Sequence, residues 1–177
     1  MPKMRIVVTG ASGQLGAYLV DHLVSAGAEV HAWSHRPRQH GPVATAVRWT
    51  ALDLRNHDEV ERALDSAQPA IVYHLGAVSS VDAVRNDPKG AFETNVEATT
   101  RLSEWSVRRG RRLIFTSTDL VFDGSKPLFR EDDVPRPLLG YGRTKEQAEE
   151  TIRNAPGVLI VRLSLLYGPS RSSRAGF

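Results

Sequence analysis

The 177-residue sequence contains no cysteine. That excludes disulfides and thiolate metal sites and is compatible with a reducing compartment. No apolar run approaches the roughly 20 residues a membrane span needs, so no membrane partner is expected. The β-branched run Arg5-Ile6-Val7-Val8 begins within a few residues of Met1. This leaves no room for a signal peptide and makes the cytoplasm the expected location. Six histidines are scattered, and the one pair at H-x-x-x-H spacing, His31 and His35, falls on a strand-like segment rather than a helix, so no metal site is expected. Neither sign of charge dominates, with 23 Lys and Arg against 20 Asp and Glu. The local basic cluster Arg108, Arg109, Arg111 and Arg112 around Gly110 has no interleaved aromatic residues to stack bases. It suits a helix C-terminus with Gly110 at C′ better than a nucleic-acid surface, so no nucleic-acid partner is expected. The composition, 41% hydrophobic and 24% charged, is that of one globular domain with room for a real core.

What the sequence does hold is a glycine-rich turn, Thr9-Gly10-Ala11-Ser12-Gly13-Gln14-Leu15-Gly16. Before it lies the strand-like Arg5-Ile6-Val7-Val8, and after it Leu15, Leu19, Val20 and Leu23 recur at helical spacing. Glycines at a strand-to-helix turn let the backbone bend tightly and approach a ligand. The helix behind them offers free N–H groups and a positive dipole end to a diphosphate. The spacing is G-x-x-G-x-x-G rather than the G-x-G-x-x-G of the commonest dinucleotide fingerprint, but the context is the one that fingerprint needs.

Further along, strands and helices alternate. Glu29 to Trp33, Val47 to Trp49, Ala70 to Leu75, Leu113 to Phe115 and Val158 to Leu163 read as strands. Asn56 and Asp87-Pro88 read as helix starts. The second of these helices carries Asn95, either an exposed polar residue or a buried one fastening a neighbouring strand. The stretch from Asp123 to Leu139 is irregular, with Pro127, Pro135 and Pro137, as binding loops are. This alternation predicts an α/β fold, a doubly wound parallel sheet with helices on both faces. Residues 1–168 form the expected dinucleotide-binding domain and 169–177 an irregular tail.

In such a sheet the end of the second strand lies beside the adenosine ribose. Here Ser34, His35 and Arg36, then Arg38, stand where NAD-binding chains place a carboxylate. That favours NADP(H) over NAD(H). Asp53 and Leu54 follow the third strand, where a carboxylate can accept from the adenine amino group. Leu75 ends the fourth, and the small Gly76 and Ala77 that follow it let backbone pass the nicotinamide ribose. Thr118 stands near the end of the fifth strand, where ligands bind. Tyr141 and Lys145 are i and i+4 on one helix face. An ammonium beside a phenol favours the ionised form, which brings the phenol nearer to working range. Lys145 can also reach the coenzyme ribose. The three can hold a ketone, feed it a proton and let a nicotinamide deliver hydride.

The glycine turn, the run Ser117-Thr118-Asp119-Leu120-Val121-Phe122-Asp123-Gly124 and Tyr141-Gly142-Arg143-Thr144-Lys145 together resemble the extended short-chain dehydrogenases/reductases. Within them the Ser-Thr-Asp run resembles the dTDP-4-dehydrorhamnose reductase branch and its sugar-nucleotide-binding relatives. The resemblance implies Thr118, Tyr141 and Lys145 as the catalytic set. It implies Gly10, Ser12, Gly13, Gln14, Leu15 and Gly16 at the diphosphate, Asp53 and Leu54 at adenine, and Ala77 on the nicotinamide side. Ala70 stands where the family usually has Asp, and Gly76 where it usually has Ala. The family's C-terminal lobe, which closes over the sugar nucleotide, is expected to be absent because the sequence stops soon after the sixth strand. Two functions follow: an NADP(H)-dependent reductase of a 4-keto nucleotide sugar, or a non-catalytic NADP-binding protein like the regulatory subunit of methionine adenosyltransferase. Nucleotide-sugar epimerases and dehydratases are a further alternative, and a homodimer is compatible with either function.

Overall fold

The computed structural model describes residues 3–36 and 47–169. The strands are β1 (Arg5–Thr9), β2 (Glu29–Ser34), β3 (Val47–Ala51), β4 (Ile71–His74), β5 (Arg112–Thr118) and β6 (Val158–Leu163). All pair in parallel in the order β3-β2-β1-β4-β5-β6. The helices are α1 (Gln14–Ser25), α2 (His57–Ala67), α3 (Val81–Asn86), α4 (Pro88–Phe92), α5 (Ala98–Arg108) and α6 (Gly140–Ile152). This is the doubly wound parallel sheet that the sequence predicts. Strand order reverses between β1 and β4, and in such sheets the crevice outside the carboxyl ends at that point receives ligands.

The local signals explain most boundaries. Asn56 caps α2, its Oδ1 accepting from Glu59 N at 3.3 Å, and Asp87 caps α4, accepting from Gly90 N at 2.9 Å. Gly110 sits beyond α5 at φ 60°, the left-handed conformation a helix stop needs. Arg108 and Arg109 pair with Glu61 at 2.9 Å and Asp65 at 2.8 Å on α2. Two of the four clustered arginines therefore tie helices together. Three features depart from expectation. β5 continues to Thr118, because its hydroxyl residues keep the ladder with β6. The short α3 carries no apolar periodicity in the sequence, because Val84 is its one buried residue. The expected long helix from Pro88 contains a π-turn at Glu93–Glu97, a distortion that often marks functional sites.

One face of the sheet packs Val7, Trp33, Val72 and Leu113 against α2 and α5, with Phe115 against Ala148 and Ile152 of α6. The other face packs Ile6, Val8, Val30 and Ala32 against Val20 and Leu23 of α1. Each large side chain so buried contributes about 1.5–3 kcal/mol. Among the described residues, helices cover both faces at β1 and β2 but not on the β5–β6 side. Val8, Tyr73, Ile114 and Leu159 form one row by register on the α1 face. Along it burial falls from Val8, 0% exposed, to Leu159, 56% exposed. Among the described helices α1 alone contributes to the core on this face, and it does not reach β6. After β6 the chain returns over α1, where Tyr18 donates to Pro169 O at 2.9 Å. Among the described residues no helix is long and apolar enough to cross a membrane.

Candidate active site

The glycine turn is shaped by close backbone contacts at Gly10 and Gly16 that leave no room for a Cβ. Gly10 takes φ 64°, and a Cβ on it would lie 2.7 Å from Gly76 N. A Cβ on Gly16 would overlap the Gly10 carbonyl oxygen. Gly13 donates to Gly10 O at 2.9 Å and stands at the N-cap of α1 with no side-chain cap. The first turn of α1 also lacks an acidic residue. Its N–H groups and positive dipole end are therefore left for an anion from outside. Ser12, Gln14 and Leu15 are half-buried around this turn. The side chain of Gln14 donates to Gly168 O at 3.4 Å.

The segments after β2, β3 and β4 converge on the same end of the sheet. Ser34 is buried and donates to Arg36 O at 2.7 Å, closing the turn after β2. His35 and Arg36 are exposed, and Arg38 lies outside the described residues. Asp53 is held by Arg55 through Nη2 at 2.6 Å and lies 3.9 Å from His35 Nδ1. The Arg55 hydrogen bond holds its carboxyl below the usual range. Leu54 leans on the turn after β4, where a Cβ on Gly76 would meet Leu54 Cδ1 at 2.7 Å. Leu75, Gly76 and Ala77 are half-buried. Gly76 N–H is fixed by Thr9 Oγ1 at 3.0 Å.

On the far side of the crevice stand the end of β5 and the first turns of α6. Thr118 is buried, accepts from Leu120 N at 3.2 Å and donates to Asp119 Oδ1 at 3.2 Å. Its hydroxyl must leave Asp119 to donate to a ketone. Tyr141 is half-buried. Burial, then the nearby Asp119 carboxylate, push its phenol upward. The expected lowering by Lys145 is thus not found in the free chain. Lys145 is itself buried, and its Nζ lies 3.9 Å from the centroid of the Phe115 ring. Burial brings its ammonium down to about 7, partly opposed by Glu149.

Three residues absent from the predicted set complete the site. Asn95, in the π-turn, is fully buried. It accepts from Val78 N at 2.8 Å, donates to Val78 O at 3.0 Å and donates to Thr144 Oγ1 at 2.9 Å. It fastens the segment after β4 to the helix of Tyr141 and Lys145, rather than a strand. Glu149, one turn beyond Lys145, is 1% exposed and receives Arg162 of β6 in a fork, with Nη2 at 2.6 Å and Nε at 3.0 Å. Arg162 Nη1 also donates to Glu131 O at 3.0 Å. Beside it a cleft of about 920 Å³ runs along the 123–139 segment, walled by Leu120, Phe122, Phe129 and Leu139. The signal for Glu149 in the sequence is its spacing of four from Lys145 on an otherwise apolar helix face; Arg162 gives no comparable signal.

The model for the RmlD substrate binding domain matches residues 4–176. The chain belongs to this family. It is 33% identical over 169 residues to methionine adenosyltransferase 2 subunit beta of Pongo abelii, covering 95% of this chain and 48% of that protein. It is 32% identical over 167 residues to dTDP-4-dehydrorhamnose reductase of Aggregatibacter actinomycetemcomitans, covering 93% and 52%. The solved dTDP-4-dehydrorhamnose reductase of Bacillus anthracis, in complex with NADP, superposes with a TM-score of 0.81 at 27% identity, over 94% of this chain and 55% of that one. The chain spans about half the length of the relatives it matches. The relatives it matches include both a dTDP-4-dehydrorhamnose reductase and a methionine adenosyltransferase subunit, so membership alone does not fix an activity.

Proposed function

We propose that this chain is the coenzyme-binding half of an NADP(H)-dependent reductase acting on a 4-keto nucleotide sugar. The observation that carries the reading is the uncapped N-terminus of α1 behind a glycine turn in which Gly10 and Gly16 have no space for a Cβ. It faces the strand-order reversal, and a diphosphate supplies the charge that this helix end lacks. The glycine turn from Gly10 to Gly16 would hold the diphosphate, and Ser34, His35 and Arg36 the ribose phosphate. Asp53 and Leu54 would border adenine, and Leu75 to Ala77 the nicotinamide ribose. When bound, the coenzyme supplies hydride. Thr118 and Tyr141 would orient the ketone, Tyr141 would deliver the proton, and Lys145 would bond the ribose and assist the phenol. The NADP named in the Bacillus anthracis reductase structure supports the coenzyme, and the two reductase relatives support the substrate class.

Residues 1–168 would form this coenzyme domain, with substrate contacts coming largely from chain beyond Gly168. Catalysis needs the ketone held at near-attack distance in a site closed to water. The cleft beside Phe122 and Arg162 is open in this chain. We therefore expect the 177-residue chain to bind NADPH and to reduce keto-sugar nucleotides poorly. A chain extended to the relatives' length should reduce them well. NADPH oxidation across a panel of 4-keto nucleotide sugars tests this, with Tyr141→Phe expected to lose most turnover while keeping coenzyme affinity.

A second reading is a regulatory subunit that binds NADP without reducing anything. The similarity to methionine adenosyltransferase 2 subunit beta favours it, as does Thr118 turned towards Asp119. An extended chain that binds NADPH and leaves it unoxidised with every substrate in the panel selects this reading.

A further inference from the structure

His74 closes β4 in the centre of the sheet, and neither the fold nor the proposed chemistry uses its imidazole. It is 1% exposed, and its two neighbours Thr9 and Thr99 are 0% exposed. Nδ1 lies 2.7 Å from Thr9 Oγ1, and Nε2 lies 2.9 Å from Thr99 Oγ1. The ring is stacked on Phe115, with centroids 5.7 Å apart. A buried polar group must be satisfied on both sides, so the protons can be counted. Thr99 has one hydroxyl proton, and it goes to Asn95 O at 2.7 Å. Towards His74, Thr99 can only accept, so Nε2 carries the ring proton. Thr9 Oγ1 already accepts from Gly76 N–H at 3.0 Å. Its own proton has Nδ1 as its partner, which requires that Nδ1 be bare.

The directions then run one way on each side. Gly76 N–H donates to Thr9, and Thr9 donates to Nδ1. Nε2–H donates to Thr99, and Thr99 donates to the Asn95 carbonyl. An imidazolium would leave the Thr9 proton without an acceptor. The other neutral tautomer would set two lone-pair atoms against each other at Thr99. Burial, with the Lys145 charge nearby, holds the ring well down, to about 3, in agreement with the neutral form. The Thr9 side ends at the two segments that line the coenzyme crevice. Thr9 precedes Gly10, and Gly76 is the residue that Gly10 touches. The Thr99 side ends at the π-turn, whose Asn95 holds Val78 and Thr144.

We propose that His74, fixed as the neutral Nε2–H tautomer, is a positioning residue that sets the floor of the coenzyme crevice by locking Thr9 onto Gly76 N–H. This role rests on the coenzyme reading above, while the tautomer does not. The two arms can be separated by substitution. An asparagine places an acceptor where Nδ1 stands and keeps the Thr9 arm. A glutamine places its donor near Nε2 and keeps the Thr99 arm. His74→Asn is expected to bind NADPH within about threefold of the parent chain. His74→Gln and Thr9→Val are expected to bind roughly tenfold more weakly, the worth of one well-placed hydrogen bond. A merely structural residue would instead weaken stability alike in both amide variants and leave their NADPH affinities equal.

The experiment combines 15N imidazole shifts of the free 177-residue chain at neutral pH with calorimetric NADPH titrations of the parent and the three variants. A bare Nδ1 with a protonated Nε2, together with the split between asparagine and glutamine, is the expected result. A protonated Nδ1 overturns the tautomer. Equal NADPH affinities of His74→Asn and His74→Gln overturn the positioning role. If the parent chain itself fails to bind NADPH, the coenzyme reading fails and takes the positioning role with it, while the shifts still decide the tautomer.

Discussion

Lys145→Met should make the coenzyme-free chain more stable, and by an amount that depends on pH. The lysine is 2% exposed, stacked on Phe115, with its ammonium brought from 10.5 to about 7 by burial. In the unfolded chain it keeps its ordinary value. Below pH 7 both states hold the proton, and the native state bears the whole cost of burying the charge. Between 7 and 10.5 the native state gives up its proton while the unfolded state keeps it, so stability rises with pH across that window. The difference of 3.5 between the two values corresponds to about 5 kcal/mol at 1.36 kcal/mol for each, an upper bound for the penalty at low pH. Methionine fills the same space without a charge. The variant should therefore exceed the parent most at about pH 6.5, and its advantage should shrink by roughly 3 kcal/mol by about pH 9.5. Urea unfolding of both proteins at the two pH values measures this. A variant less stable than the parent, or an advantage independent of pH, would refute the reasoning. The outcome bears on function, because a buried lysine that destabilises the free fold is the kind of residue kept for its chemistry.

Two other outcomes follow from the same structure. Arg162→Ala strands the buried Glu149 carboxylate and should cost roughly 3–5 kcal/mol in urea unfolding, most of it recovered when Glu149→Gln and Arg162→Met are combined. Leu159→Asp should change the stability of the 177-residue chain by less than about 0.5 kcal/mol, since this end of the sheet is open. In a chain extended to the relatives' length it should cost roughly 2 kcal/mol or more, if the added chain covers that face; equal effects in the two lengths would contradict the proposed domain division.

The sequence discloses those parts of this molecule that rest on short-range signals. The glycine turn, the Asn56 and Asp87 caps and the Gly110 stop each depend on a few adjacent residues, and each is found where it is expected. Strand identity is equally local, since buried parallel strands read as apolar runs. The end of β5 is less visible because Thr116, Ser117 and Thr118 look like a loop until the β6 ladder is known. The π-turn and the Asn95 hydrogen bonds depend on contacts 17 and 49 residues away in sequence, which no local pattern encodes. Tyr141 shows the same limit. Its spacing from Lys145 places the two on one helix face, yet burial of both, with Asp119 beside the phenol and Glu149 beside the ammonium, decides how charged each is. The open face over β5 and β6 is visible only once the register places Leu159 in a row with Val8.

The central claim is that this chain binds a 2′-phosphorylated dinucleotide on its glycine turn. Calorimetric titration of NADPH and NADH into the 177-residue chain and its Arg36→Ala variant tests it most directly. The account predicts that NADPH binds more tightly than NADH, and that the variant loses affinity for NADPH while its affinity for NADH is little changed. NADH binding as tightly as NADPH, or neither coenzyme binding at all, would contradict it.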